Sequence, residues 1–431
     1  MTTLRWNLAE RIAFRFAFLY FALFLLTHST LSTIPFLGLL LRKYSELWYP
    51  VGVWFGKDVL RLSYDVVPAE GGVNNTAYGW ALCLCYLTLA AAGTLIWSVL
   101  GKRRPDYERL HAWLRLLLRF ALASAMIHYG MIKLIPTQMI APPPNGVLLF
   151  RVGDLAPNYL LWWFIGASPA YESFTGLAEL LGGVLLLVPR TTLLGALVCA
   201  ADMLTVFMLN MCYDVIVKLY SLHLLVMAVF MIAPDLGRLA NLLVFNRRVA
   251  PAETPPLFAH KRLNRVPHVL LLLFGVYVIG VSIDHALERY RSRHPPEPPL
   301  YGVWSVESFA VDGKDVPLFT DPNRWRWVSF SKPGAVGVER MIGSGSNYAL
   351  DLDREAKRMT LEKYQLDAEG KTLQDANGKP RKLGNWRAEL SFEEPEPDVL
   401  ILDGQLDGRR MHARLRKMAL LRKSFRWISD R

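Results

Sequence analysis

FTGLAELLGGVLLLVPRTTLLGALVCAADMLTVFMLN, residues 174–210, decides the fold. It belongs to two apolar stretches, 171–189 and 191–211, each long enough to cross a hydrocarbon core, which takes about 20 helical residues. Only Pro189-Arg190 separates them. A proline next to a charge ends one helix and turns the chain. The two stretches therefore read as an antiparallel hairpin of membrane helices.

Five further stretches have the same character: 12–31, 77–99, 113–134, 216–233 and 266–284. The expectation is an integral membrane protein with about seven transmembrane helices. The first stretch carries Arg15 inside it and no small-residue cleavage site after it, so it reads as a retained helix and not a secretory signal. With seven crossings, Arg5 and Arg11, the basic loop Lys102, Arg103, Arg104 and Arg109, the turn residue Arg190, and the cluster Arg238, Arg247, Arg248, Lys261, Arg262 and Arg265 all fall on one side. The positive-inside tendency makes that side cytoplasmic. The expected location is a bacterial inner membrane, N-terminus cytoplasmic and C-terminal domain periplasmic. On the other side, 35–62 reads as an interfacial helix or cap with Trp48, Tyr49 and Trp54 near the headgroups. Residues 141–170 open on Pro142, Pro143 and Pro144 and continue through Trp162 and Trp163, which suit an interface or the roof of a cavity.

The composition divides the chain. Of 431 residues 52% are hydrophobic, and nearly all long apolar runs precede residue 285. Between Tyr301 and Arg431 there are 23 Lys/Arg against 20 Asp/Glu, so most of the +12 formal charge lies in the membrane part. Basic loops beside apolar helices are topology signals, and no nucleic-acid face is expected. Cys83, Cys85, Cys199 and Cys212 all lie in or beside apolar helices, which implies packing and not a disulfide framework. The expected domains are a bundle over 1–290, a Pro-rich linker over 291–300 that holds HPPEPPL, and a soluble domain over 301–431.

Ionisable residues at membrane depth are costly, and they pair or line polar cavities. The third span ends IHYGMIKL, with His128, Tyr129 and Lys133. The fourth carries Glu172 and Glu179 on one face, and the fifth Asp202. LNMCYDVIVKLYSLH then supplies Asn210, Asp214, Lys218 and His223. Two readings stay open. In one, Lys133–Glu172 and Asp214–Lys218 are structural ion pairs and the histidines are satisfied by hydrogen bonds. In the other, these side chains line a polar pocket, opening outward, that binds a quinone-like ligand and moves protons. No pair has the HxxxH or ExxH spacing that puts two ligands on one helical face, so no metal is assigned.

YGMIK (129–133), FTGLAELLGGVLLLVPRTTLLGAL (174–197) and LNMCYDVIVKLYSLHLL (209–225) resemble the DoxX/DoxD-like membrane family, over about residues 113–240. The resemblance implies a four-helix membrane core and a quinone-linked oxidoreductase subunit. Family members include the membrane subunit of a thiosulfate:quinone oxidoreductase. The polar positions carried over are Lys133, Glu179, Arg190, Asn210, Asp214 and Lys218. This chain departs from a minimal member by three further helices and a soluble tail.

In that tail, alternation predicts eight strands: 301–310, 325–330, 335–341, 346–352, 357–362, 386–392, 397–403 and 408–416. Asp312-Gly313, Asn377-Gly378 and Asp407-Gly408 supply turns. Eight antiparallel strands of this length close into a small barrel. Gly302-Val303-Trp304 resembles the GxW signature of lipocalins, which implies a tryptophan at the barrel floor beneath Arg414 or Arg416. The final LLRKSFRWISDR reads as an amphipathic tail.

The expected function is a quinone-associated subunit of an envelope redox complex. Its catalytic residues are Lys133, Glu179, Asp214 and Lys218; His128, Tyr129, Asn210 and His223 bind the cofactor. Its partners are the lipid bilayer and a soluble or membrane redox protein. The alternative is a non-enzymatic scaffold or carrier that binds an apolar small molecule with the lipocalin-like tail.

Overall fold

The computed structural model describes residues 6–28, 37–68, 74–101, 106–139, 153, 155–251, 256–258, 260, 262–343, 345–367, 372–375 and 379–419. They form two compact units, Met1–Met139 with Pro169–Arg289, and Ile140–Ser168 with Tyr290–Arg431. The loop residues 102–104, Pro142–Pro144, Lys261, Asn377-Gly378 and the tail from 420 lie outside the described residues.

The helices are α1 (Leu8–His28), α2 (Leu37–Trp54), α3 (Ala77–Leu100), α4 (Glu108–Leu134), α5 (Pro157–Gly166), α6 (Pro169–Leu187), α7 (Thr192–Cys212), α8 (Lys218–Ile232), α9 (Leu236–Leu243) and α10 (Val266–Arg293). Six stretches are long and apolar enough to cross a membrane: Ala77–Leu100, Glu108–Leu134, Pro169–Leu187, Pro189–Cys212, Lys218–Leu243 and Leu263–Arg293. Seven are expected from sequence. The difference is α1, whose first turns carry Glu10, Arg11 and Arg15. Its 21 residues still run about 31 Å alongside the others. Asn7 and Glu10 cap its start reciprocally, each side chain accepting from the other's backbone N–H.

Side-chain contacts fix the directions. Phe18 meets Trp97 and Arg15 reaches Ser98, so the start of α1 lies beside the end of α3. Phe21 on Phe230 and Phe24 on His223 set α1 antiparallel to α8. Phe120 on Phe274 and His128 beside Ser282 set α4 parallel to α10. Helices α4, α6, α7 and α8 close a four-helix ring, with α4 against both α6 and α8. One end of the unit thus gathers the starts of α1, α4, α7 and α10 and the ends of α3, α6 and α8.

The last carbonyls of a helix have no partner within it. At this end arginines supply the donors. Arg15 donates to Gly101 O after α3 and also to the Tyr107 hydroxyl. Arg119 donates to Leu186 O in α6, and Arg115 to Met231 O in α8. The opposite end is covered differently. The expected cap over 35–62 is α2 followed by a π-helical turn, Phe55–Val59. Trp48 stands edge-on to Tyr86 and Tyr49 to Tyr78, which seats α2 on the start of α3.

The α4–α6 interface needs glycine. Glu172, Gly176, Glu179, Gly183 and Leu186 recur at helical spacing and form the buried face of α6. A Cβ on Gly130 would stand 2.6 Å from Leu180 N, and one on Gly183 2.9 Å from Ile127 Cγ1. Such backbone proximity is how membrane helices gain packing where lipid offers no hydrophobic drive.

In the second unit α5 begins with Pro157 at its first turn, where a missing N–H costs nothing. The strands are β1 (Gly302–Val311), β2 (Lys314–Asp315), β3 (Trp325–Lys332), β4 (Ala335–Arg340), β5 (Gly345–Asp353), β6 (Arg358–Tyr364), β7 (Lys382–Glu396), β8 (Val399–Leu406) and β9 (Arg409–Lys417). Each of the eight long strands pairs antiparallel with the next, and β9 pairs back onto β1, which closes the barrel. Asp312-Gly313 and Asp407-Gly408 both have positive φ, the signature of tight hairpin turns. Alternation aims Met411, Ala413 and Leu415 of β9 inward and Arg414 and Arg416 outward. The interior is filled by apolar side chains, among them Phe309, Trp325, Phe330, Tyr348 and Phe392.

A bulge between Val306 and Ser308 shifts the register of β1, so that Trp304, Val306 and then Phe309 all face inward. Buried Arg324 donates to Val316 O and Trp325 O and reaches Val306 O and Glu307 O at the bulge. Trp304 is buried inside the barrel, and the cation over its ring is Lys417, 5.6 Å from the centroid. Arg414 and Arg416 face outward and pair with Glu307, because the even positions of β9 point away from the core.

Hydrogen bonds from Arg416, and then Arg414, hold the Glu307 carboxyl below its ordinary range. A carboxyl depressed in the folded state adds stability above its unfolded pKa, and this is lost as pH falls through the folded value. Glu307→Gln is therefore expected to lower barrel stability by less than about 1 kcal/mol at neutral pH, as for other exposed pairs. Variant and wild type should converge in acid. Unfolding curves at neutral and acid pH check this; a difference that grows in acid contradicts it.

Candidate functional site

The hairpin of α6 and α7 turns at Pro189–Thr191. A Cβ on Gly182 would stand 2.8 Å from Cys199 Sγ, and one on Gly195 2.8 Å from Leu186 N. Both contacts join residues equidistant from the turn. The same register puts Asp202 level with Glu179, at the middle of both helices. Lys133, on α4, lies beside Gly176 of α6. Side chains on a helix lean toward its N-terminus, so Lys133 reaches back to Glu179.

There it forms an ion pair with Glu179 Oε1. Lys133 is 6% exposed and Glu179 3%. The expected partner, Glu172, is engaged elsewhere: it accepts from the backbone N–H groups of Gln138 and Met139, at 3.0 and 2.9 Å. Asp202 lies within electrostatic reach of both Glu179 and Lys133. Glu179 Oε2 and Asp202 Oδ2 are buried and without a hydrogen-bond partner among the described residues. Tyr129 of α4 faces Glu179, and its ring stands 6.0 Å from that of Tyr220 on α8. Cys199 lies near both carboxylates. The centre of the four-helix ring thus holds one ammonium, two carboxyl groups, two phenols and a thiol.

The other predicted site residues do not join it. Lys218 pairs with Asp214 one helical turn away, but the Asp214 side chain is 77% exposed. Asp214 also has φ of 53°, a left-handed conformation that aspartate tolerates in a turn. Asn210 donates to Ser221 Oγ at 3.0 Å and ties α7 to α8. His223 is satisfied on both ring nitrogens. Nδ1 faces Leu219 O at 2.6 Å and must carry the hydrogen, so Nε2 accepts from the Tyr20 hydroxyl, also at 2.6 Å. Phe24 stacks flat on the ring, 4.0 Å away. His128 faces α10, with Ser282 Oγ 3.3 Å from Nδ1 and the His285 ring 5.5 Å away. Of the eight predicted residues, Lys133, Glu179 and Tyr129 share one site. Asn210, His223 and His128 belong to helix–helix ties around it, and Asp214 pairs with Lys218 at the start of α8.

Sequence comparison adds one relative. An uncharacterized protein of Bacillus subtilis (strain 168), YwoB, is 38% identical over 98 residues. The match takes in 21% of this chain and 64% of YwoB, so less than two thirds of that relative is spanned. No family model matches the chain. No solved structure matches it.

Asp202 is the site residue that the predicted set omits. Its signal is the hairpin itself: in two helices joined by a three-residue turn, residues equally far from the turn share a depth. Among the described residues, no group of three or more His, Cys, Asp or Glu could hold a metal ion.

Proposed function

We propose that this chain is a DoxX-like inner-membrane protein whose four-helix core binds the polar ring of a quinone beside Lys133 and Glu179, as the membrane subunit of an envelope redox complex. The observation that carries this reading is the buried Lys133–Glu179 pair with a second acceptor oxygen left over on Glu179. A lysine ammonium has three donors, and one meets Glu179, so the cluster offers donors to a carbonyl and acceptors to a hydroxyl. Tyr129 and Tyr220 add aromatic surface for a flat ring. A bound quinone would supply electron and proton transfer; the chain's own residues would orient its oxygens and take up or release the protons. The electron donor would be a separate protein.

The family reading is supported by the closure of α4, α6, α7 and α8 into one ring, since these helices carry the segments that resemble DoxX. The orientation rests on the basic residues Arg15, Arg109, Arg115, Arg119, Arg190, Arg238, Arg247 and Arg248 at one end of the bundle. By the positive-inside tendency that end faces the cytoplasm. With α1 crossing beside α3, the C-terminal barrel then lies in the periplasm. The lipocalin-like carrier reading is weaker, because apolar side chains fill the barrel.

Mass spectrometry of small molecules co-purified in mild detergent tests the proposal. Wild type and Asp214→Asn are expected to carry a quinone, and Glu179→Gln to lose it. No quinone in wild type, or equal quinone in Glu179→Gln, overturns the reading. A lipid lost only when 300–431 are deleted would move ligand binding to the barrel.

A further inference from the structure

Two carboxyl groups and one ammonium share the centre of the bundle. Fully ionised, they would leave one uncompensated negative charge at mid-span, where no second cation among the described residues faces it. Lys133 is the cation that acts on Asp202, and Glu179 is the other charge. Tyr129 of α4 lies within electrostatic reach of Glu179 and Cys199 of α7 of both carboxylates, and a phenol and a thiol are neutral at ordinary pH. An isolated charge at membrane depth is expensive and is neutralised in preference to being left bare.

The hydrogen bonding shows the same deficit. Glu179 Oε1 takes the Lys133 ammonium, but Glu179 Oε2 and Asp202 Oδ2 are both buried acceptors with no donor among the described residues. One proton on either carboxyl removes the excess charge and supplies an O–H donor between the two carboxyl groups. Glu179 is the more deeply buried and holds the ammonium; Asp202 is half-buried and has no ion pair among the described residues. Asp202 is thus the carboxyl of the two that is free to take the proton.

We propose that Glu179, Asp202 and Lys133 form a proton-binding site at the middle of the membrane span, which holds one exchangeable proton between two carboxyl groups. Uptake forms one O–H bond on a carboxylate oxygen and release breaks it; no electrons move. The site stands independently of any bound quinone.

The test is infrared spectroscopy of the purified, lipid-depleted protein at neutral pH, in light and heavy water. The C=O stretch of a protonated carboxylic acid is distinct from carboxylate bands and shifts on deuteration. Wild type minus Asp202→Asn should show one such band, and Glu179→Gln should also lack it. In each variant the single remaining carboxylate stays ionised opposite Lys133. Lys133→Met should instead gain a second protonated group. A wild-type spectrum without the band overturns the proposal and would point to a bound metal cation or to two ionised carboxylates. A band that persists in Asp202→Asn places the proton elsewhere and overturns it equally. Asp202→Asn keeps the test decisive if the other variants fail to fold, since Asn at this half-buried position retains the shape of the side chain.

Discussion

Replacing Lys133 with methionine is expected to destabilise the bundle by about 3–5 kcal/mol, the cost of breaking a buried ion pair from one side. The loss follows from what stays behind. Glu179 is 3% exposed and keeps its place on the inner face of α6, with Gly176 and Gly183 holding α4 too close for rearrangement. Changing both partners, Lys133→Met with Glu179→Leu, removes the carboxyl left without its cation along with the attraction. That double variant should return to within about 1 kcal/mol of wild type, because two apolar groups of similar volume replace a buried pair at little net cost. Unfolding in mixed micelles of denaturing and mild detergent, followed by tryptophan fluorescence, measures both. A single variant as stable as wild type would mean that water reaches the pair. A double variant no better than the single one would mean that Lys133 acts through packing and not charge.

That comparison also separates stability from function. The double variant should fold yet bind no polar-headed ligand at the centre of the ring, whereas Asp214→Asn should leave both intact. Asp214 is exposed and, among the described residues, pairs within its own turn, so its charge does little for packing or for the site.

Much of this architecture is legible in the sequence, and the exceptions share a cause. The spans are legible because crossing a hydrocarbon core demands about 20 apolar residues whatever the neighbours are. The eight long strands are legible because period-2 alternation and Asp-Gly turns are local signals; Asp312-Gly313 and Asp407-Gly408 adopt the backbone their sequence implies. Partners between helices are not local. Nothing near His223 in sequence announces Tyr20, 203 residues away, as its hydrogen-bond partner. Lys133 lies near both Glu172 and Glu179 by helical periodicity, and only the lean of its side chain and the turn at 135–139 assign it to Glu179. Residues 136–139 bring two backbone N–H groups to Glu172, a contact that periodicity cannot show. Lys417 replaces the expected arginine over Trp304 for a different reason. The parity of β9 is set by its pairing with β8 and β1, and it turns Arg414 and Arg416 outward.

Trp304→Ala is expected to cost the barrel about 3–5 kcal/mol, the range for deleting a fully buried aromatic ring. The ring is 1% exposed, and its position is held three ways. Its Nε1 donates to Leu300 O at 2.8 Å, which fastens the chain that enters β1. Lys417, the last residue of β9, stands over its face. The bulge at Val306–Ser308 begins just beyond it, so Trp304 fills one end of the interior while Phe309 fills the other side of the register shift. Alanine would open a cavity where β1, β3 and β9 meet, and β9–β1 is the pairing that closes the barrel. Trp304→Phe keeps most of the volume and loses the donor to Leu300, so its cost should be intermediate, close to that of one hydrogen bond plus a small void. Hydrogen exchange on the full chain, read over β1, β3 and β9 with the slow amides of α4 as an internal reference, measures both. Faster exchange confined to those three strands, with alanine well ahead of phenylalanine, is the expected result. Equal effects of the two substitutions would assign the role of Trp304 to its hydrogen bond, and a loss below about 1 kcal/mol for alanine would show that the barrel closes without filling this end.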